Sequence, residues 1–303
     1  MTDDVTGGDA TQAPESVCYR HPDRETYVRC TRCERPICPD CMRAASVGFQ
    51  CPSCVAEGHA TIRQPKAAFG GTAHEQPLVT WTVMGLCGLF FLLTAGATAG
   101  FGGGVSELFQ RLALAPSLHV TTEDGVRVVA DGVAQGQYYR LLTAMFLHFG
   151  VFHLAFNMYA LYLVGPTLER ALGRLRFATL YLLSGLGGSA LSYGLGTESK
   201  LAAGASGAVF GLFAAFWVLE QRRGRDASGI TALIVINLAI GFVVPNIDWL
   251  GHLGGLVAGA LVAAALVYAP TGKQRALVQA LGVVLVALLV VAVVAARTAQ
   301  LNA

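Results

Sequence analysis

Gly204-Ala205-Ser206-Gly207-Ala208-Val209-Phe210-Gly211 opens an apolar segment long enough to cross a membrane. A serine among small residues at such a place has two readings. In the first, the small residues let helices approach closely, and Gly207 and Gly211 form a GxxxG packing motif. In the second, Ser206 is a nucleophile at a helix N-terminus, with Gly204 and Gly207 leaving room for a substrate backbone. A general base elsewhere in the chain is what separates the two.

The surroundings read as a membrane protein. The chain has 303 residues, 54% hydrophobic and 13% charged, against about 25% charged in an average soluble domain. Its mean hydropathy is +0.54. The net charge of +2 says little about partners. The acidic, polar start gives no expectation of a secretory leader before the first apolar segment. From Leu78 onward, uncharged stretches recur that match the roughly 20 residues a spanning helix needs. Seven helices are expected, at about 78–98, 147–168, 177–195, 203–220, 228–245, 250–269 and 276–296. The boundaries are set by Glu169-Arg170, Arg222-Arg223-Gly224-Arg225, Pro245-Asn246 and Lys273-Gln274-Arg275. The seventh carries no polar residue of mechanistic interest and is expected to pack on the outside.

Arg170, Arg174 and Arg176 lie in one short loop, Arg222, Arg223 and Arg225 in another, and Lys273 and Arg275 in a third. The alternate short loops carry only Lys200. Basic loops stay in the cytoplasm, which puts the N-terminus inside and the C-terminus outside. The long loop at about 99–140 is then external. Within it Ser106–Leu114 reads as a short interfacial amphipathic helix, and Val120–Val129, with Glu123-Asp124-Gly125 at its middle, as a hairpin.

Residues 1–16 read as a disordered tail, 17–56 as a small metal-binding domain, and 57–77, with Arg63 and Lys66, as a linker. The domain reads Cys18-x2-His21-x8-Cys30-x2-Cys33-x4-Cys38-x2-Cys41-x9-Cys51-x2-Cys54, which holds all but one of the eight cysteines. The eighth, Cys87, lies in an apolar run as a small buried hydrophobe. Each x2 pair lets two ligands from one tight turn reach the same tetrahedral zinc. Eight ligands make two closed, structural Zn2+ sites and leave no ligand over. Metal would supply stability that about 40 residues cannot draw from a core. An odd number of cysteines with a histidine in the eighth slot argues against a disulfide framework. Reduced thiols agree with a cytosolic N-terminus. The arginines here are interleaved with Asp23, Glu25 and Glu34, so nucleic acid is not an expected partner.

Ionisable residues in membrane helices are rare and usually functional. Here they are His148, His153 and His252. The expected topology makes the second, fourth and sixth helices run the same way, so Ser206 and His252 lie at similar depth under the outer surface. Gly207 and Gly211 on one helix, and Gly255 and Gly259 on the other, let the two close up until Ser and His can hydrogen-bond. His153 and Asn157 are four apart and share a helix face. That donor pair, with the Ser206 amide, would suit a tetrahedral oxyanion. Phe210 could pack on the His252 ring. Asp248 is the one carboxylate near His252, and a triad is not expected. The bland alternatives are a histidine bonded to a carbonyl, and His-x3-Asn acting as interhelical glue.

Gly204-Ala205-Ser206-Gly207, His153-Leu154-Ala155-Phe156-Asn157 and Gly251-His252-Leu253-Gly254-Gly255 resemble the motifs of rhomboid intramembrane serine proteases. The resemblance covers roughly residues 78–296. It implies an all-α membrane fold, a six-helix bundle with one appended C-terminal helix. It also implies a dyad with Ser206 as nucleophile and His252 as base, and an oxyanion hole from His153, Asn157 and Ser206. Substrates would be single-span membrane proteins cut near the outer surface. Tyr139-Arg140 matches the family's aromatic-Arg element, and Gln137 stands where an acidic residue is common. The cysteine-rich segment resembles a B-box or RING-like finger. That pattern would give Cys18, His21, Cys38 and Cys41 to one zinc and Cys30, Cys33, Cys51 and Cys54 to the other, while spacing also permits sequential pairing. Such fingers usually bind protein, so a cytosolic protein partner is implied. The finger looks like an accessory of some bacterial members, which implies a bacterial plasma membrane. The alternatives are a non-catalytic membrane adaptor whose finger recruits a cytosolic protein, and a transporter, which would carry midplane charges that are absent here.

Overall fold

The structure is a computed structural model that describes residues 16–61, 67–72, 74–94, 106–121, 127–130, 132–197, 201–245 and 247–303. The expected tail up to residue 15, the hairpin tip Glu123-Asp124-Gly125, and Arg63, Lys66, Lys200 and Asn246 lie outside the described residues. The chain forms two compact units, one ending at Gln64 and the other beginning at Pro65.

In the first unit, β1 (Val17–Cys18) pairs antiparallel with β2 (His21–Glu25), and β3 (Arg43–Ala44) with β4 (Phe49–Gln50). Helix α1 (Pro52–Thr61) follows. It carries the folded region beyond the expected end at 56. The buried cluster is Ile37 with Cys18, Cys30, Cys38, Cys41, Cys51 and Cys54. That is too little apolar surface to hold a fold of this size by itself.

The second unit runs α2 (Leu78–Thr94), α3 (Glu107–Leu112), β5 (Leu118–Thr121), β6 (Arg127–Ala130), α4 (Tyr139–Thr143), α5 (Val151–Leu172), α6 (Arg174–Leu195), α7 (Ser206–Arg222), α8 (Ser228–Val243), α9 (Trp249–Val267) and α10 (Arg275–Leu301). Helices α5, α9 and α10 are long and apolar enough to cross a membrane, and α2 and α8 are shorter apolar helices. Helices α6 and α7 are the inner ones. They bury Ser184, Gly185, Gly187, Gly188 and Ser189, and Ala208 through Ala215, so their surfaces meet other helices rather than lipid and need less hydropathy. The expected hairpin is present as the antiparallel pair β5–β6, in register from Leu118↔Ala130 to Thr121↔Arg127. The stretch Ser106–Leu114 contains the short helix α3, capped by Ser106 Oγ accepting from the Phe109 amide at 3.2 Å. Its Phe109 packs inward with Ala113 and Leu147.

Three expectations need correction. Helix α5 starts at Val151, four residues late, because Leu147 and Gly150 are extended, and the Phe149 amide reaches His153 Nδ1 at 3.4 Å. The same helix runs through Glu169-Arg170 to Leu172. Glu169, read as a loop marker, is 3% exposed. Its carboxylate accepts from the Val79 and Thr80 amides at 2.9 and 2.8 Å and from the Thr80 hydroxyl at 2.8 Å. A charge there satisfies the first amides of α2, which have no partner within their own helix. Helix α10 also carries polar residues that the sequence reading passed over. Buried Gln279 donates to Phe69 O at 2.9 Å and Leu266 O at 2.7 Å, and accepts from Arg176 Nε at 2.8 Å.

The centre of the bundle is the seam between α7 and α9. A Cβ on Gly255 would collide with the Gly207 carbonyl, and one on Gly259 with Gly211. Helix α6 joins the seam in the same way, since a Cβ on Gly188 would press on Gly251 O and one on Gly254 on Gly187 O. The GxxxG reading of the serine stretch is therefore correct as packing.

Candidate active site and metal centres

Ser206 is the first residue of α7, and His252 lies in the first turn of α9. The glycine seam brings these ends together, and His252 Nε2 sits 2.9 Å from Ser206 Oγ. The Phe210 ring stacks on the imidazole at 4.3 Å between centroids and 14° between planes. It leaves the ring little freedom to turn. Asp248 is occupied elsewhere: its carboxylate accepts the Gly251 amide at 3.1 Å and caps α9. His252 Nδ1 is buried without a partner among the described residues.

His153 lies in the first turn of α5 and stacks on Phe149. Because the Phe149 amide donates to Nδ1, the ring hydrogen of the neutral form is assigned to Nε2. Gly204 has φ +142°, and a Cβ there would lie 2.8 Å from His153 Nε2 and 3.5 Å from Ser206 Oγ. The absence of a side chain keeps the space between these two groups open. Asn157, one turn below His153 and 5% exposed, spends one amide hydrogen on His153 O at 2.8 Å. Its second hydrogen remains. All four polar residues line a cavity of about 880 Å³ whose opposite wall includes Asn237 of α8. His148 is 2% exposed and stands edge-on to His153 at 5.0 Å. Neither of its nitrogens makes a hydrogen bond of ordinary geometry.

The segment entering Ser206 is held from the long loop. Leu114 and Ala202 exchange both backbone hydrogen bonds at 2.9 Å, and the Gly204 amide donates to Ala144 O at 2.9 Å. Arg140 is buried and donates to Gln110 O at 2.6 Å, Ala113 O at 2.8 Å and Gln137 Oε1 at 2.6 Å. Gln137 thus serves as a neutral acceptor where the family pattern has an acid. Tyr139 donates to Arg111 O at 3.2 Å.

In the first unit, the ligand atoms of Cys18, His21, Cys38 and Cys41 all lie within 4.8 Å of one another, and so do those of Cys30, Cys33, Cys51 and Cys54. None of these cysteines forms a disulfide. His21 Nδ1 stands 3.8, 3.3 and 3.4 Å from the sulfurs of Cys18, Cys38 and Cys41, and Cys33 and Cys51 sulfurs are 3.7 Å apart. The edges of a tetrahedron with zinc bond lengths are about 3.6 Å for N–S and about 3.8 Å for S–S. The donor sets therefore fit a tetrahedral metal, and the grouping is the crossed one. Burial and the neighbouring Cys18 and Cys38 sulfurs push the Cys41 thiol up to about 11. Burial and the sulfurs of Cys33, Cys51 and Cys30 push Cys54 up to about 12.

Fold and site together define a membrane protein of bundled helices with a serine–histidine pair in a cavity at one end. A family model, the Rhomboid domain, matches residues 135–269. The chain is 45% identical over 139 residues to the rhomboid protease GluP of Bacillus subtilis (strain 168), covering 44% of this chain and 27% of that protein. It is 36% identical over 156 residues to RHOMBOID-like protein 1 of Arabidopsis thaliana, covering 49% and 40%. With the B. subtilis rhomboid-family protein YdcA it shares 39% identity over 136 residues, covering 43% of this chain and 68% of that protein. The chain belongs to the rhomboid family. It spans less than half the length of GluP and RHOMBOID-like protein 1.

Proposed function

We propose that the protein is an intramembrane serine endopeptidase that cleaves single-span membrane proteins through a Ser206–His252 dyad. The observation that carries this reading is the 2.9 Å contact between His252 Nε2 and Ser206 Oγ, beneath an open cavity. Ser206 Oγ attacks the scissile carbonyl carbon while His252 Nε2 takes its proton, with the other ring hydrogen on Nδ1. The oxyanion forms in the space that Gly204 leaves, facing His153 Nε2–H, the free Asn157 amide hydrogen and the Ser206 backbone amide, which lies in the first turn of α7. As the C–N bond breaks, His252 gives its proton to the leaving amine. Water then attacks the acyl-serine, His252 taking its proton and returning it to Oγ. Phe210 is a positioning residue for the base, and Gly207, Gly255 and Gly259 bring the two helices within reach.

The inner ends of the helices support the topology drawn from loop charge. Arg176 meets α10 at Gln279, and the Arg222 guanidinium lies over the Tyr268 ring at 5.8 Å. The basic loops thus gather at the end of the bundle away from Ser206, which favours an extracytoplasmic active site. The domain at 17–56 holds two structural zinc ions, one on Cys18, His21, Cys38 and Cys41 and the other on Cys30, Cys33, Cys51 and Cys54, and docks a cytosolic protein.

The test is labelling of the full chain in detergent by a serine-reactive phosphonate, comparing wild type with Ser206→Ala and His252→Ala. Labelling confined to wild type supports the dyad. Labelling that persists in Ser206→Ala removes the nucleophile assignment, and no labelling of wild type favours the non-catalytic adaptor. Elemental analysis of the same preparation should give two zinc per chain.

A further inference from the structure

The outer half of α10 lies against the platform that carries the serine. One buried cluster joins Val294 of α10 to Leu114, Val133, Ala144, Tyr193 and Ala202, with Val290 and Leu301 packed on it. Leu114 and Ala202 are the bridged pair ahead of Ser206, and Ala144 supplies the carbonyl that takes the Gly204 amide. Two polar contacts fasten the same face. Thr298 Oγ1 and Tyr193 Oη are 2.9 Å apart, and Asn302 Nδ2 donates to Ala134 O at 2.9 Å. Ala134 lies in the 3-10 turn Val133–Gln135, whose Val133 and Ala134 amides donate to Ala115 O and Pro116 O. Three residues on, Gln137 receives Arg140.

We propose that the outer end of α10, through Thr298, Asn302 and Val294, is a positioning element for Ser206, setting the Leu114–Ala202 bridge and hence the approach of Gly204 and Ser206 to His153 and His252. The effect passes through backbone: Asn302 holds the Ala134 turn, the turn holds Ala115–Pro116, and the adjoining Leu114 holds Ala202. An acyl-transfer site loses rate when its nucleophile is displaced by a fraction of an ångström, even when the fold survives. The proposal rests on the protease reading for its catalytic consequence, but its structural half stands apart.

Asn302→Asp keeps the shape and removes the donor, Asn302→Gln restores a donor, and Thr298→Val removes the hydroxyl. Two readouts on the full chain separate the possibilities: the phosphonate labelling rate, and hydrogen exchange at the Ala202 and Gly204 amides. The double variant Asn302→Asp/Thr298→Val should label about threefold to tenfold more slowly, with faster exchange at both amides and an unchanged melting midpoint. Asn302→Gln should recover part of the rate. Leu289→Ala, on the exposed face of α10, should change neither. Unchanged exchange at Ala202 and Gly204 overturns the proposal whatever the labelling does. A rate loss that merely follows a fall in melting midpoint overturns it as well. If wild type is not labelled yet the double variant speeds exchange, the protease reading fails and the positioning contact stands.

Discussion

In the cysteine-rich unit the buried centre is Ile37 and six cysteines, while along α7–α9 it is glycine against glycine, Gly207 on Gly255 and Gly211 on Gly259. The first gathers side chains that could hold a metal, and the second closes where side chains are missing. Eight donors can draw a short chain together because each metal bond is strong and directional. Two glycine faces hold because many weak contacts form only when backbones come close. A ligand-held unit should fail all at once when its ligand leaves. A seam should fail in proportion to the bulk put into it.

Metal removal gives the largest contrast. Stripping the full chain with excess chelator should unfold residues 16–61, a loss on the order of 10 kcal/mol in apparent folding free energy. Limited proteolysis would read it as new cleavage between Cys18 and Cys54. The phosphonate labelling rate should stay unchanged, and an unaltered digestion pattern would show that metal does not close this unit.

Next in size is the chemistry at the end of the seam that carries Ser206 and His252. Ser206→Ala or His252→Ala should lower peptide cleavage by about 10⁴-fold or more, with the double variant little worse than either single one. Simply additive losses would mean that the two residues do not act as a unit.

Bulk in the seam comes third. Gly255→Val puts methyls where the Gly207 carbonyl stands and should destabilise the bundle by about 3 kcal/mol, seen as a lower melting midpoint together with slower labelling. A stable, fully active variant would contradict the close approach.

The smallest effect is expected at Phe210. Phe210→Ala removes the ring stacked on His252 and should slow cleavage roughly fivefold to tenfold, with Phe210→Tyr near wild type.

Much of the site was legible because its signals are local. The Cys-x2-Cys pairs announce ligands, a serine between glycines at a helix start announces either packing or catalysis, and His153 and Asn157 share a face by helical period alone. Loop charge gives helix direction and direction gives depth, which puts His252 level with Ser206. Glu169 reads in the sequence as a helix boundary. A charge usually ends an apolar run, and only the folded chain brings the bare amides of Val79 and Thr80 to it. Gln279 is a single polar residue and does not mark a face, and Thr298 and Asn302 lie beyond the expected helix end at 296.

The sequence by itself determined the chemistry available: which residues can bind metal, which can trade a proton, and which stretches must avoid water. These follow from side-chain type and short-range period. The tertiary structure alone decided the grouping of the eight donors into two quartets, the use of Asp248 as a helix cap, and the packing of α10 against Leu114 and Ala202. Each depends on distances between segments far apart in the chain, and those distances are set by packing, which no local pattern encodes.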